Sequence, residues 1–125
     1  NLVFSPALSF TAYSYHCFEA GDFNHDGLVD LIVGNFRNNV SSSARLSLYT
    51  NDNTRFTRDP SFAPTLDWYE CVHVARACDF DRDGDLDVAV SGYWMPARVY
   101  VNTGRALTNQ SIVLGNEYST FWNST

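Results

Sequence analysis

Two short segments of the chain carry acidic side chains at alternate positions. The first covers residues 22–30 and the second covers residues 79–87. Both read D-x-[DN]-x-D-G-x-x-D, and an apolar segment follows each of them. Carboxylates this close together repel one another unless a cation lies between them, and a purely oxygen ligand set suits a hard divalent cation. The spacing therefore predicts one cation site in each segment.

The geometry of such a loop follows from its positions. Side chains at positions one, three and five converge on one centre when the backbone turns sharply, and Gly27 and Gly84 at position six permit that turn. Position seven offers its backbone carbonyl, and position nine closes the shell with its carboxylate. The number of ligands and the flexibility of the loop favour Ca²⁺ over Mg²⁺.

Two other interpretations of these loops are weaker. An EF-hand requires an acidic residue at position twelve, and that position is Val33 in one loop and Val90 in the other. The segments beside the loops also have the character of strands rather than helices. An acidic turn that binds nothing is the simplest alternative, because Asp, Asn and Gly favour turns in any case. The repetition of the whole pattern argues against that alternative.

The similarity between the two halves of the chain extends well beyond the loops. His16 aligns with His73 upstream, and a Tyr-x-Asn sequence ending at Asn51 aligns downstream with one ending at Asn102. The downstream offset is shorter than the offset between the loops, so the first copy carries extra residues, best placed at 38–43. Turn signals divide each copy into short apolar segments without helical periodicity. Strands are predicted at about 13–19, 29–33, 45–50, 54–57, 70–77, 86–91, 97–102 and 111–114.

The loops and the strands that follow them resemble the FG-GAP or VCBS repeats of integrin-α-type β-propellers, whose blades carry a DxDxDGxxD calcium loop. The resemblance implies an all-β fold of four-stranded blades, with about two repeats where integrin-like rings have seven. It divides the chain into repeat 1 (1–53), repeat 2 (54–108) and the start of a third, incomplete repeat (109–125). It also implies two Ca²⁺ ions, one per repeat, which rigidify the blades without catalysis. The implied ligands are Asp22, Asn24, Asp26, Leu28 and Asp30 in the first loop, and Asp79, Asp81, Asp83, Asp85 and Asp87 in the second.

The composition limits the partners and the location of the protein. Eight of the 14 acidic residues lie in the two loops, so two Ca²⁺ ions would change the formal charge from −6 to about −2. The acidity is thus mostly ligand chemistry, and neither nucleic-acid binding nor a membrane span is expected. Three N-x-[ST] sequons, at Asn39, Asn109 and Asn123, favour an extracellular or cell-surface glycoprotein.

The positions of the three cysteines do not establish whether any of them forms a disulfide. Cys71 and Cys78 lie in one extended segment about 20 Å apart, which is too far for a disulfide. Cys17 reaches one of them only if neighbouring strands bring the two side chains level. Free thiols, or a partner outside the chain, are the alternatives.

The expected function is structural or adhesive, and no enzymatic activity is expected. Carboxylates clustered around a cation all stay ionised, whereas a glycosidase needs two carboxyl groups in different environments. The expected partners are copies of the same chain or further blades of a longer one, as a propeller segment, a closed ring or a filament, with glycans or cell-surface and matrix proteins as other possibilities. A carbohydrate-binding module is the main alternative, and a non-catalytic appendage of a secreted enzyme is another. The module would use aromatic residues near predicted turns, such as Trp68-Tyr69, Tyr93-Trp94 and Phe121-Trp122.

Overall fold

A computed structural model of the protein describes residues 15–35, 46–64, 71–108 and 112–113. Every regular element in this part of the chain is a β-strand. The strands are β1 (Tyr15–Gly21), β2 (Asp30–Asn35), β3 (Leu46–Asn51), β4 (Phe56–Asp59), β5 (Cys71–Cys78), β6 (Asp87–Tyr93), β7 (Met95–Tyr100) and β8 (Ile112–Val113). The described residues include no helix long and apolar enough to cross a membrane.

The eight strands form two antiparallel four-stranded sheets, ordered β1-β2-β3-β4 and β5-β6-β7-β8. This confirms the predicted all-β fold with two blade-like sheets, and each predicted strand overlaps an observed one. The first sheet ends at Asp59 and the second at Val113, so β4 and β8 lie beyond the predicted repeat boundaries at 53 and 108. The division into repeats, including the third one at 109–125, stays a prediction.

The strand register shows how closely the two sheets match. Phe18 pairs with Val33 in the first sheet, and the aligned residues Ala75 and Val90 pair in the second. Both first strands carry a β-bulge at the aligned histidine, between Tyr15 and Cys17 and between Val72 and Val74. A bulge bends its strand and re-aims the side chain, and the His73 ring meets the edge of the Tyr93 ring at 4.4 Å. The matching histidines therefore mark a shared backbone feature.

One apolar core lies between the two sheets, with β5 packed against β1 and β2. Gly34 makes this close approach possible, because a Cβ atom there would lie 2.7 Å from Val72 Cγ1. The packing excludes water from side chains of both sheets and of the segment that connects them, which is the main source of stability in such a fold. Its fully or almost fully buried members include Phe23, Ile32, Leu48, Phe62, Val72, Ala75, Val88 and Leu107.

The cysteines are free thiols, with Cys71 and Cys78 at opposite ends of β5 as predicted. Burial raises the pKa of the Cys17 thiol, against the lowering effect of backbone hydrogen bonds from Gly34 and Ala75. Several sequence features lie outside the described residues: the insertion at 38–43 and the sequons at Asn39, Asn109 and Asn123.

Candidate metal centre

Three acidic side chains of the second loop converge on one point. Asp79, Asp81 and Asp87 each place a carboxylate oxygen within 4.8 Å of the other two. Asp79 follows β5 directly and Asp87 begins β6, so the two strands hold the loop at both ends. Positions one, three and nine of the predicted ligand set are thus brought together. The side chain of Asp83, at position five, accepts the N–H of Asp85 at 2.9 Å.

Both loops fold by the same six hydrogen bonds between backbone N–H groups and acidic or amide side chains. The position-one carboxylate accepts the N–H groups of positions five and six, and the position-nine carboxylate accepts that of position two. In the first loop Asp22, Asn24, Asp26 and Asp30 are the acceptors, at 2.8–3.3 Å. In the second loop Asp79, Asp81, Asp83 and Asp87 accept the equivalent bonds at 2.8–3.2 Å.

Two positions in each loop adopt left-handed backbone conformations. Gly27 and Gly84 at position six have φ values of 85° and 100°, as the sharp turn requires. Position four is left-handed as well, with φ of 60° at His25 and 65° at Arg82. Such values are uncommon for residues other than glycine. The sequence pattern pointed to the glycine but not to position four, where the residue types carry no such signal.

The position-nine residues are the most enclosed part of each loop. Asp30 and Asp87 are fully buried, and each carboxylate accepts one backbone N–H on each oxygen. One donor comes from the loop itself, and the other is the N–H of Asn51, the last residue of β3, or of Asn102, two residues after β7. Each of these carboxylates therefore connects the loop and the second strand with the end of the third strand. The sequence predicted Asp30 and Asp87 as ligands but did not reveal this second role.

The electrostatics of the loops fit a cation. Burial raises the pKa of the Asp30 carboxyl against its two backbone hydrogen bonds, and the charges of Asp26 and Asp22 raise it further. Desolvation, and then the charges of Asp83 and Asp87, raise the pKa of the Asp81 carboxyl. Gathering these carboxylates is thus unfavourable without a positive charge, and hard oxygen atoms are the donors that Ca²⁺ prefers. The donor types present suit that ion in both loops, and the position-seven carbonyls of Leu28 and Asp85 stay predicted ligands.

A direct contact joins the two loops. His25 Nε2 lies 2.5 Å from Asp85 Oδ1, so a side chain of the first loop meets one of the second. His25 stands at position four of its loop, which is not among the predicted ligand positions. Its partner lies 60 residues away, and spacing alone gives no signal for such a contact.

Asn102 makes a second, buried link between the two sheets. Its side-chain amide donates to Leu86 O at 3.2 Å within its own sheet, and to Phe23 O at 3.1 Å in the first loop. Since the Phe23 N–H donates to Asp30 and the Asn102 N–H donates to Asp87, hydrogen bonds run from one position-nine carboxylate to the other. Asn51 holds the equivalent place in the first sheet, and its amide donates to Val29 O at 3.0 Å.

Replacing Asn102 with alanine should therefore destabilise the protein more than the same change at Asn51. The Asn102→Ala change leaves the Phe23 and Leu86 carbonyls without this donor in a buried site, at a cost of about 2–4 kcal/mol. Asn51→Ala removes a more exposed bond and should cost about 1 kcal/mol. Urea unfolding followed by circular dichroism measures both values, and equal losses would show that the bridge to Phe23 contributes nothing.

Comparison with protein families places this geometry among known repeats. The model of the FG-GAP-like repeat matches residues 22–90, which include both loops. Comparison with curated proteins and with solved structures gave no significant match. The family match covers more than half of the chain and agrees with the two blade-like sheets. This chain belongs to the FG-GAP-like repeat family.

Proposed function

We propose that this chain is an extracellular, Ca²⁺-stabilised β-propeller repeat protein with a structural or adhesive role, which it performs by assembling with further copies of itself. The observation that carries the proposal is the pair of loops, each folded by the same six hydrogen bonds, with three convergent carboxylates in the second loop. Two such loops in one chain argue for a repeated structural task.

The position of each loop explains what a bound cation would do. A loop joins the first two strands of its sheet, and its position-nine carboxylate holds the end of the third strand through Asn51 or Asn102. An ion shared by positions one, three, five, seven and nine would fix these strands relative to one another. Rigid blades are what an adhesive or scaffolding protein requires.

The arrangement of the carboxylates also argues against a hydrolase. In glycosidases two carboxyl groups stand about 5–10 Å apart in different environments, and one of them keeps its proton. Here Asp79, Asp81 and Asp87 surround a single point, where a cation would keep all of them ionised. We therefore propose that the loops have no catalytic role.

An extracellular location suits both the ion and the sequons. Calcium modules outside cells bind weakly, with dissociation constants of about 10⁻⁴–10⁻³ M, because Ca²⁺ is abundant there. Glycans at Asn39, Asn109 or Asn123 would add a hydrophilic coat. FG-GAP-like repeats are typical of extracellular proteins, which supports the same location.

Sedimentation velocity of the protein tests the assembly part of this proposal. In Ca²⁺ the chain should sediment as species larger than a monomer, and in EGTA these should dissociate or unfold. A folded, monodisperse monomer in Ca²⁺ at every concentration tested would contradict assembly.

A second candidate, carbohydrate binding, has a specific observation in its favour. Tyr93 and Trp94 are both about half exposed at the β6–β7 turn, with ring centroids 5.8 Å apart. Trp94 has a φ of 56°, and such strain in a bulky residue often marks a functional site. Exposed aromatic rings can stack on sugar rings. A glycan array with wild-type protein and Trp94→Ala tests this candidate, and the absence of any Trp94-dependent signal would remove it.

A further inference from the structure

Two of the large exposed apolar side chains, Phe80 and Phe18, occupy positions whose equivalents in the other sheet are buried. Phe80 is 48% exposed, whereas Phe23 at the equivalent position of the first loop is 0% exposed. Phe18 is 67% exposed, whereas Ala75 at the equivalent position of β5 is 0% exposed. The buried member of each pair lies at the junction between the two sheets, so this junction shows what would cover the exposed member.

The junction has two different halves. The half on the first sheet consists of Cys17, Gly21 and Phe23, and the half on the second sheet consists of Ala75, Leu86 and Asn102. A Cβ atom on Gly21 would lie 2.5 Å from Leu86 Cδ1, and the Asn102 amide donates to Phe23 O at 3.1 Å. The Phe23 ring also packs edge-on against Phe62, with centroids 6.4 Å apart.

Each half of the junction recurs on the outer side of the other sheet. Up to the second strand, equivalent residues are those paired by the alignment of the two loops. From the third strand onward, they are those paired by the alignment of the two Tyr-x-Asn sequences. The trailing face, on the second sheet, consists of the equivalents of the first half: Val74, Cys78 and Phe80. The leading face, on the first sheet, consists of the equivalents of the second half: Phe18, Val29 and Asn51. Five of these six residues are exposed, and Asn51 is partly buried.

The two faces carry counterparts of the junction's contacts and hydrogen-bonding groups, and the pair Cys17 and Ala75 becomes the bulkier pair Val74 and Phe18. The close pair Gly21 and Leu86 becomes Cys78 and Val29, a larger residue opposite a smaller one. The Asn51 amide donates to Val29 O just as that of Asn102 donates to Leu86 O. The Asn102 amide has a second acceptor, Phe23 O, whereas the Asn51 amide has no second acceptor among the described residues. The Phe80 carbonyl on the trailing face is the counterpart of Phe23 O.

The charges also agree. At the junction Arg76 Nη1 lies 3.4 Å from Glu19 Oε2, and these two residues hold equivalent positions in their strands. A contact between the trailing face of one copy and the leading face of another would therefore place Arg76 of the first copy opposite Glu19 of the second. Arg76 would then hold the place that Glu19 has at the junction, and Glu19 the place of Arg76. An exposed pair of this kind adds little affinity but disfavours wrong orientations.

We propose that the leading face of one copy of this chain docks on the trailing face of a second copy, in the manner of the internal junction. This inference rests on the proposed function, because it names the surface through which the chain would assemble. The interface is heterologous: each copy uses a different face toward each neighbour, so the assembly continues until it closes into a ring or extends as a filament.

Single substitutions on the two faces test the inference. Phe80→Gln removes the large apolar side chain of the trailing face, and Phe18→Gln removes that of the leading face. Neither substitution adds a charge beside the cation loops. Thr57→Gln changes an exposed residue on the side of the first sheet opposite Phe18, outside both faces, and is the control. In Ca²⁺, sedimentation should show at least about thirtyfold weaker self-association for each face variant, as expected for an interface hot spot. The Thr57→Gln variant should assemble like the wild type.

A mixture of the two face variants gives the sharpest result. Phe80→Gln retains a leading face and Phe18→Gln retains a trailing face, so the mixture should form a dimer and nothing larger. Circular dichroism and the unfolding midpoint check that each variant folds, and Phe80→Ala and Phe18→Ala replace any variant that does not. Folded variants that assemble as the wild type does, or that give no dimer when mixed, would overturn the inference and leave assembly itself standing. A wild type that stays monomeric would instead overturn the proposed assembly.

Discussion

Removal of Ca²⁺ with EGTA is expected to lower the thermal unfolding midpoint of this protein by about 10 °C or more. A ligand that binds only the folded state stabilises it by RT ln(1 + [L]/Kd), which is about 1.4–2.7 kcal/mol per site at 10 to 100 times Kd. Two sites together give about 3–5 kcal/mol. For a domain of this size each kcal/mol shifts the midpoint by about 3–5 °C.

The same ions would relieve a specific electrostatic conflict in the folded chain. Desolvation, and then the charges of neighbouring loop carboxylates, raise the pKa of the Asp30 and Asp81 carboxyls, and Asp30 and Asp87 are fully buried. Adding Ca²⁺ back should restore the midpoint, and Mg²⁺ should restore it less well because that ion requires a stricter octahedral geometry. Differential scanning calorimetry measures the shift. Equal midpoints in Ca²⁺ and EGTA would show that the loops are acidic turns that bind nothing.

The second large effect is expected at Phe23. Its ring is fully buried between the sheets and packs against Phe62, so Phe23→Ala should lower the free energy of unfolding by about 3–5 kcal/mol. Phe80 occupies the same position of the other loop but is half exposed, and Phe80→Ala should cost less than about 1 kcal/mol in the monomer.

This pair of substitutions changes the same residue type in the same local backbone. Any difference between them therefore reports the packing of one sheet on the other and not the loop itself. Urea unfolding at a protein concentration low enough to keep the chain monomeric measures both values. Equal losses for Phe23→Ala and Phe80→Ala would contradict the two-sheet junction.

Local sequence patterns were sufficient to predict the strands and loops. Turn signals between short apolar segments located every strand in the described part of the chain, and the alignment of the two copies reappears in the equivalent pairings of Leu31 with Tyr49 and of Val88 with Tyr100. The glycine of each loop has the left-handed backbone that its position predicts. These features depend on interactions between residues that are close in sequence or repeated at a fixed spacing.

Contacts between the sheets were not predictable in the same way. The Tyr-x-Asn sequence pointed to Asn102, but the bond from its amide to Phe23 O depends on how one sheet lies against the other. The contact of His25 with Asp85 depends on the same placement. The hydrogen bonds to Asp30 and Asp87 were also missed, because the pattern identifies an acidic residue without showing which N–H groups surround it.

The Ca²⁺ stoichiometry tests the central claim most directly. Isothermal titration calorimetry of chelator-treated protein should give two ions per chain for the wild type and one for Asp81→Ala. Asp81 is exposed and its carboxylate accepts the N–H of Asp83 within the same loop, so the variant should keep its stability without the ion. The absence of binding heat in the wild type, or an unchanged stoichiometry of two in Asp81→Ala, would contradict the assignment of the two loops as cation sites.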